Sequence, residues 1–445
     1  MHGSLSISMA ETIDICPAGL ALPRSLEQLS TLVASGEYSP VEAVEQCLER
    51  IHQRESKVQA WAYLAGAEAR SQAQQLTQEL LSNGPRSPLH GIPFGVKDIY
   101  DTNGVPTEWG TPVHKGRIPT KDAALVTQLK KAGAIVLGKT HTTAYAYFDP
   151  APTRNPHNLV HTPGGSSSGS AAAVADGMIP FALGSQTQGS VLRPASFCGV
   201  TGFKPSYGRL PVEGIMPFAP TLDHPGVFTR TVEDMVFLWT AMRPYLTIKE
   251  TFPQQSVAIE FAVPSWPIKG TLDFDMRSGF EAYVASLHKR GFHIAPIDLP
   301  ESLMRLPEIT LTVMHYEAAK IHGDDFRRNG VKVGHKLALL IEDGLTIHRS
   351  DYQSARDALE QARIDFKNAV GERIWITPAA IGAAPDSIDT TGDPCCNSPF
   401  TTLGAPSISI PFATASDGLP LGLQLASAQN GETRLLTAAT QLTKN

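Results

Sequence analysis

Three times along the chain a helical pattern runs into a glycine and then directly into a short apolar run. Leu125 and Leu129 mark one helix, Gly133 closes it, and residues 134–138 read as a strand. An Ala-rich helix at 170–176 is closed by Gly177 and followed by a strand at 179–183. A third helix at 274–289 meets Gly291 and a strand at 292–297. Glycine ends helices because it takes the left-handed conformation at no steric cost. Strands without polar alternation need cover on both faces. Helix–glycine–strand units of this kind predict an α/β fold around a largely buried sheet. Further strands are expected at 256–263, 374–377, 407–412 and 421–426, with a closing helix at 432–442. Near the start, residues 25–34 read as a helix stopped by Gly36. Ser39-Pro40-Val41-Glu42 reads as a capping box with proline at the first helical position, and Val41, Val44, Leu48 and Ile51 continue that helix. The 445 residues would allow roughly three domains at about 150 residues each. With no internal repeat and no charged or low-complexity linker, a single large domain over 1–445 is expected.

Composition narrows the partners. Hydrophobic residues are 42% of the chain, charged residues 18%, and the net charge is −6. An acidic balance argues against non-specific nucleic-acid or anionic-membrane binding. No apolar stretch reaches the about 18 residues of a membrane span, and residues 1–22 lack the pattern of a secretory leader. The five cysteines, Cys16, Cys47, Cys198, Cys395 and Cys396, are odd in number and irregularly spaced. They suggest small buried residues in a reducing compartment, so a cytoplasmic protein is expected.

The chemistry concentrates in two Gly/Ser segments and one lysine. Pro163-Gly164-Gly165-Ser166-Ser167-Ser168-Gly169-Ser170 runs into the Ala-rich helix. Such a segment offers N–H groups and hydroxyls to a polar ligand, but no Gly-Lys-Ser/Thr follows to make a phosphate loop. Gly184 to Ala195 follows the strand at 179–183, where a serine on a tight turn would be exposed beside free N–H groups. Upstream, Gly91-Ile92-Pro93-Phe94-Gly95-Val96-Lys97-Asp98 puts a lysine at the end of an apolar strand. Lysine sits there only when paired or functional, and alone Lys97 reads as an ion-pair residue. Two other constellations are weaker. Asp223-His224 invites a Ser–His–Asp reading, but neither Gly164-x-Ser166-x-Ser168 nor Gly184-Ser185-Gln186 completes a Gly-x-Ser-x-Gly elbow. His157 and His161 are bracketed by Pro156 and Pro163, against a helical metal pair.

These blocks, together with the segments 197–208, 404–411 and 418–424, resemble the amidase signature family. Ser166 and Ser190 stand 24 apart (190 − 166), as in that family's serine pair. The resemblance runs from about Leu26 to the end, with a signature core at about 85–235 and a nondescript, variable helical region at about 242–374. It implies a mixed β-sheet core covered by helices on both faces, and a Ser–Ser–Lys triad. Ser190 matches the nucleophile, Ser166 the bridging serine after a cis peptide at Gly165, and Lys97 the base. The backbone N–H groups of Thr187, Gln188, Gly189 and Ser190 match the oxyanion hole. Serine needs a base to become nucleophilic, and a lysine can act as that base only when burial or a nearby cation keeps it neutral. No metal and no cofactor are implied. The sequence departs from the commoner pattern at Gln186, where an acidic residue is frequent, at Gln188, where a glycine is frequent, and at Arg193, three rather than two residues after the nucleophile.

The resemblance implies an amidohydrolase that cleaves C–N bonds through a serine acyl-enzyme. The expected partner is a small-molecule amide or carbamate, with a lean toward urethanase or anilide-cleaving members. The expected assembly is a monomer or homodimer. Tyr145, Tyr147, Phe148, Arg209, Met216 and Phe218 are the candidate lining of an apolar substrate pocket. The alternative is the glutaminase subunit of a tRNA-dependent amidotransferase. A third reading, a binding homologue without activity, sits poorly with three filled triad positions.

Overall fold

The computed structural model describes residues 25–246, 259–265 and 272–444. The reading of residues 1–22, Cys16 and the first part of the strand expected at 256–263 lie outside the described residues. Among the described residues eleven strands form one sheet. They are β1 (Trp61–Leu64), β2 (Pro93–Lys97), β3 (Ile135–Thr140), β4 (Phe181–Gln186), β5 (Thr201–Lys204), β6 (His224–Thr229), β7 (Phe261–Pro264), β8 (Ile294–Ile297), β9 (Ile374–Pro378), β10 (Ser407–Thr414) and β11 (Pro420–Ala426).

The sheet order is β1-β3-β2-β4-β6-β5-β10-β11-β9-β7-β8. β2 runs parallel to both β3 and β4. From β4 through β6, β5, β10 and β11 to β9 every pairing is antiparallel, and β9, β7 and β8 are parallel again. The sheet is therefore mixed. Every residue of β2, β3, β6, β9 and β11 is buried. Successive strand side chains point to opposite faces, so burial along a whole strand means cover on both faces.

Local chemistry accounts for the boundaries. The capping box forms as written: the Ser39 hydroxyl accepts from the Glu42 N–H, and the Glu42 carboxylate accepts from the Ser39 N–H at 2.7 Å. Gly133, at φ 94°, ends the helix Ala124–Lys131 beside His90, whose Cα would stand 2.9 Å from any Cβ placed there. One expectation needs correction. The strand read at 179–183 begins at Phe181 and continues to Gln186, because Ser185 and Gln186 pair with Pro225 and His224 of β6. That extension carries Ser185 and Gln186 to the edge of the sheet where β2 ends at Lys97. Parallel β2 and β4 thus finish side by side, a usual place for a site in an α/β sheet. Four helices, Glu301–Met304, Leu306–Asn329, His335–Thr346 and Arg349–Val370, occupy most of the stretch before β9.

Candidate active site

Lys97 closes β2 with its side chain fully buried. Its Nζ lies 2.7 Å from the Ser166 hydroxyl and 2.8 Å from the Ser185 hydroxyl. Burial holds its pKa well below the ordinary lysine range, opposed by the charge of Asp223. Neutral Lys97 is the form that can accept a proton.

Ser166 follows a cis peptide bond after Gly165, as the resemblance implies. The residues around it are serines for a structural reason. The Ser168 hydroxyl donates to the Gly164 carbonyl at 2.8 Å, the Ser170 hydroxyl to the Leu183 carbonyl at 2.8 Å, and the Ser167 hydroxyl to the Ser185 carbonyl at 3.2 Å. The last two bonds tie the loop to β4, and the first closes the loop on itself. Gly165-Ser166-Ser167-Ser168-Gly169 does spell a Gly-x-Ser-x-Gly elbow around Ser167, but Ser167 is fully buried and its hydroxyl is bound to that strand carbonyl.

Ser190 sits on the turn between β4 and the helix Leu192–Cys198. Gln186 shapes that turn. Its side-chain carbonyl accepts from the Val191 and Leu192 N–H groups at 2.7 and 3.0 Å, and its amide donates to the Thr401 hydroxyl at 2.8 Å. Thr401 in turn donates to the Gln188 carbonyl at 2.6 Å, and a Cβ on Gly189 would stand 2.8 Å from the Asn397 side-chain oxygen. Among the described residues the backbone N–H groups of Thr187, Gln188, Gly189 and Ser190 have no acceptor. Four adjacent open donors beside a serine can stabilise a developing oxyanion. The Ser190 carbonyl accepts from the Ser167 N–H at 3.4 Å, and no hydrogen bond joins the Ser190 and Ser166 hydroxyls.

Asp223 joins this turn to the next loop. It accepts from the Thr187 hydroxyl at 2.6 Å and from the Phe218 and Ala219 N–H groups. Burial raises its carboxyl above the usual range. The Asp–His pairing read at 223–224 does not form: His224 Nδ1 bonds the Leu222 carbonyl at 2.6 Å. His157 and His161 are likewise turned to the carbonyls of Cys198 and Ala384. Among the described residues no group of three His, Cys, Asp or Glu is arranged to hold a metal, and no helix is long and apolar enough to cross a membrane.

A cleft opens at Ser190, lined by Ala146, Tyr147, Phe148, Thr187, Gln188, Arg193, Phe218 and Met314. Tyr147, Phe148 and Phe218 of the expected pocket residues are here, with the Tyr147 and Phe218 rings stacked at 5.3 Å. Tyr145, Arg209 and Met216 are not. Tyr145 is buried, with its hydroxyl 3.0 Å from both His114 Nε2 and an Asp325 carboxylate oxygen. Its ring packs edge-on against those of Trp109, His114 and His322. Arg209 faces Glu432 at 3.7 Å, and Met216 is buried in the core.

Sequence reasoning passed over Ser185, Asp223 and Met314 as site residues. Ser185 was hidden by the early end read for its strand. Asp223 was considered only as a partner for His224. Met314 comes from a helix with no distinguishing motif.

A family model described as Amidase matches residues 42–436. A glutamyl-tRNA(Gln) amidotransferase subunit of Geobacillus stearothermophilus is 32% identical, over 93% of this chain and 96% of that protein. The corresponding subunit of Exiguobacterium sibiricum is 30% identical, over 93% and 95%. Among solved structures, one described as an amidase superimposes with a TM-score of 0.85 at 31% identity, over 94% of this chain and 99% of that one.

Proposed function

Since the chain belongs to the amidase family, we propose that it hydrolyses carboxamide C–N bonds through an acyl-enzyme on Ser190. The observation that carries this reading is the buried Lys97 Nζ at 2.7 Å from Ser166, beside a turn with four open N–H groups. Ser190 Oγ attacks the amide carbon, and its proton passes through the Ser166 hydroxyl to neutral Lys97. The carbonyl oxygen, now negative, is met by the N–H groups of Thr187 to Ser190. The tetrahedral intermediate collapses, the C–N bond breaks, and the proton returns through Ser166 to the departing amine. Water then attacks the ester with the same groups acting in reverse. The hydroxyls of Ser190 and Ser166 come together on substrate binding, as hydrogen bonds of a catalytic site often do.

For the substrate, the relatives favour the amidotransferase reading over carbamates or anilides. Both relatives described above carry the name of a glutamyl-tRNA(Gln) amidotransferase subunit. On that reading the amide is glutamine and the chain works with partner subunits. A substrate panel decides: glutamine, an aliphatic amide, an anilide and a dialkyl carbamate, each with Ser190→Ala as control. Turnover of glutamine alone supports the amidotransferase reading. Turnover of the anilide or carbamate without glutamine restores the other. Equal turnover by wild type and Ser190→Ala sinks both.

A further inference from the structure

Arg193 is 2% exposed and lines the same cleft as Ser190. A guanidinium carries five N–H bonds. Nη2 uses its two, toward the Gly165 carbonyl at 2.8 Å and the Thr391 hydroxyl at 3.3 Å. That leaves three (5 − 2), one on Nε and two on Nη1, and among the described residues neither atom has an acceptor. Arg193 also forms no ion pair there. Asp393 acts on it only at longer range, and burial lowers its pKa to about 10, so it stays charged at neutral pH. The ring of Phe148 lies 5.6 Å from its Cζ, which orients the guanidinium plane without supplying a counter-charge.

A buried cation without a paired anion is expensive. Where such a group also lines a cleft, a ligand of opposite charge can complete it. From this geometry we infer that Arg193 is a substrate-binding residue and that the amide cleaved at Ser190 carries a carboxylate. The inference rests on the amide-hydrolase reading and narrows it to anionic amides. The carboxylate meets the open donors of Arg193, while Tyr147, Phe148, Phe218 and Met314 enclose the apolar chain between it and the scissile bond. Glutamine fits this description. Neutral anilides and dialkyl carbamates do not.

The test compares charged and neutral substrates of equal shape. One series carries the carboxylate on the acyl side: succinamate, glutaramate and adipamate against primary amides ending in isopropyl. The other carries it on the amine side: N-butyrylglycine against N-butyryl-isobutylamine. The expected result is a kcat/KM preference for the carboxylate partner of at least one series, about 10- to 100-fold, the range for a hydrogen-bonded charge. Arg193→Gln and Arg193→Lys should collapse that ratio toward one, through KM more than kcat. A wild-type ratio at or below one in both series overturns the inference and leaves amide hydrolysis standing. An unchanged ratio in both variants also overturns it, because Arg193 would then only hold Gly165. If the wild type cleaves no amide, the hydrolase reading fails, and calorimetric binding of glutarate against pentane-1,5-diol decides the inference separately. Binding of glutarate alone supports it, and binding of neither overturns it. The same calorimetry on wild type decides if both variants fail to fold.

Discussion

Lys97 Nζ and Ser166 Oγ are 2.7 Å apart although 69 positions separate them in the chain. β2 delivers the lysine from within the sheet, and the cis Gly165–Ser166 turn delivers the hydroxyl from above its edge. Both members of the pair are buried, the lysine completely.

The first prediction concerns pH. Burial lowers the Lys97 pKa, so the neutral amine becomes available below the ordinary value of 10.5. Activity should rise with pH through that lowered value and then level off. A kcat/KM profile that is flat from pH 5 to 10, or that falls as pH rises, would show that Lys97 does not accept the proton.

The same shift has a cost in stability. Unfolded, Lys97 keeps its proton up to about 10.5; folded, it gives it up earlier. Between those values the unfolded chain binds more protons, so stability increases with pH across that window. At neutral pH the buried amine is therefore a burden on the fold. Lys97→Met should abolish amidase activity and raise Tm by about 2–4 °C. A thermal scan showing a lower Tm would mean that the bonds to Ser166 and Ser185 outweigh the desolvation.

Ser190→Ala should reduce amide turnover by more than about 10³-fold with the circular-dichroism spectrum unchanged, since it removes one partly exposed oxygen. Mass spectrometry after treatment with a serine-directed phosphonate should find the adduct on the peptide containing Ser190. An adduct on Ser185 or Ser167 instead would move the nucleophile.

Ser185→Ala removes one of the two oxygens that accept from Lys97. Loss of an acceptor disfavours the ammonium form. The acid limb of the pH profile should move to lower pH, with a rate loss of about tenfold from looser positioning. An unmoved limb would assign Ser185 to the strand alone.

Gln186→Ala strips the acceptor from the buried Val191 and Leu192 N–H groups. At about 1–3 kcal/mol for each unpaired group, urea denaturation should register a loss of about 2–6 kcal/mol for the two. Gln186→Glu keeps the acceptor but deprives Thr401 of its donor, so it should cost less. Equal losses would indicate that the Thr401 bond matters more than the turn.

Much of this was readable from residue order. The helix–glycine–strand units, the Ser39 capping box and the helix at 274–289 follow from local chemistry, and local chemistry produced them. β6 was not readable, because Pro225 and Gly226 look like strand breakers. In the sheet Gly226 is needed where β6 passes beneath Val191: a Cβ there would stand 2.8 Å from the valine methyl and 2.9 Å from the Phe203 carbonyl. The placement of Ser166 against Lys97 was legible through family resemblance. The cleft was only half so. Tyr145 and Tyr147 are two residues apart and equally aromatic, yet one faces the cleft and the other is held by His114 and Asp325. Asp325 lies 180 positions away, and no local pattern announces a partner at that distance.

Thr401 and Asn397 brace the turn that carries Ser190, and both arrive more than two hundred positions after it. On the ribosome Lys97, Ser166 and Ser190 therefore emerge first, and the wall that fixes their turn is made only after them. A nascent chain holds all three residues and no finished site. Hydrolytic competence is gained in a step that follows its serines, and its appearance during cell-free translation should track the emergence of residues 397–401 rather than that of Ser166 and Ser190.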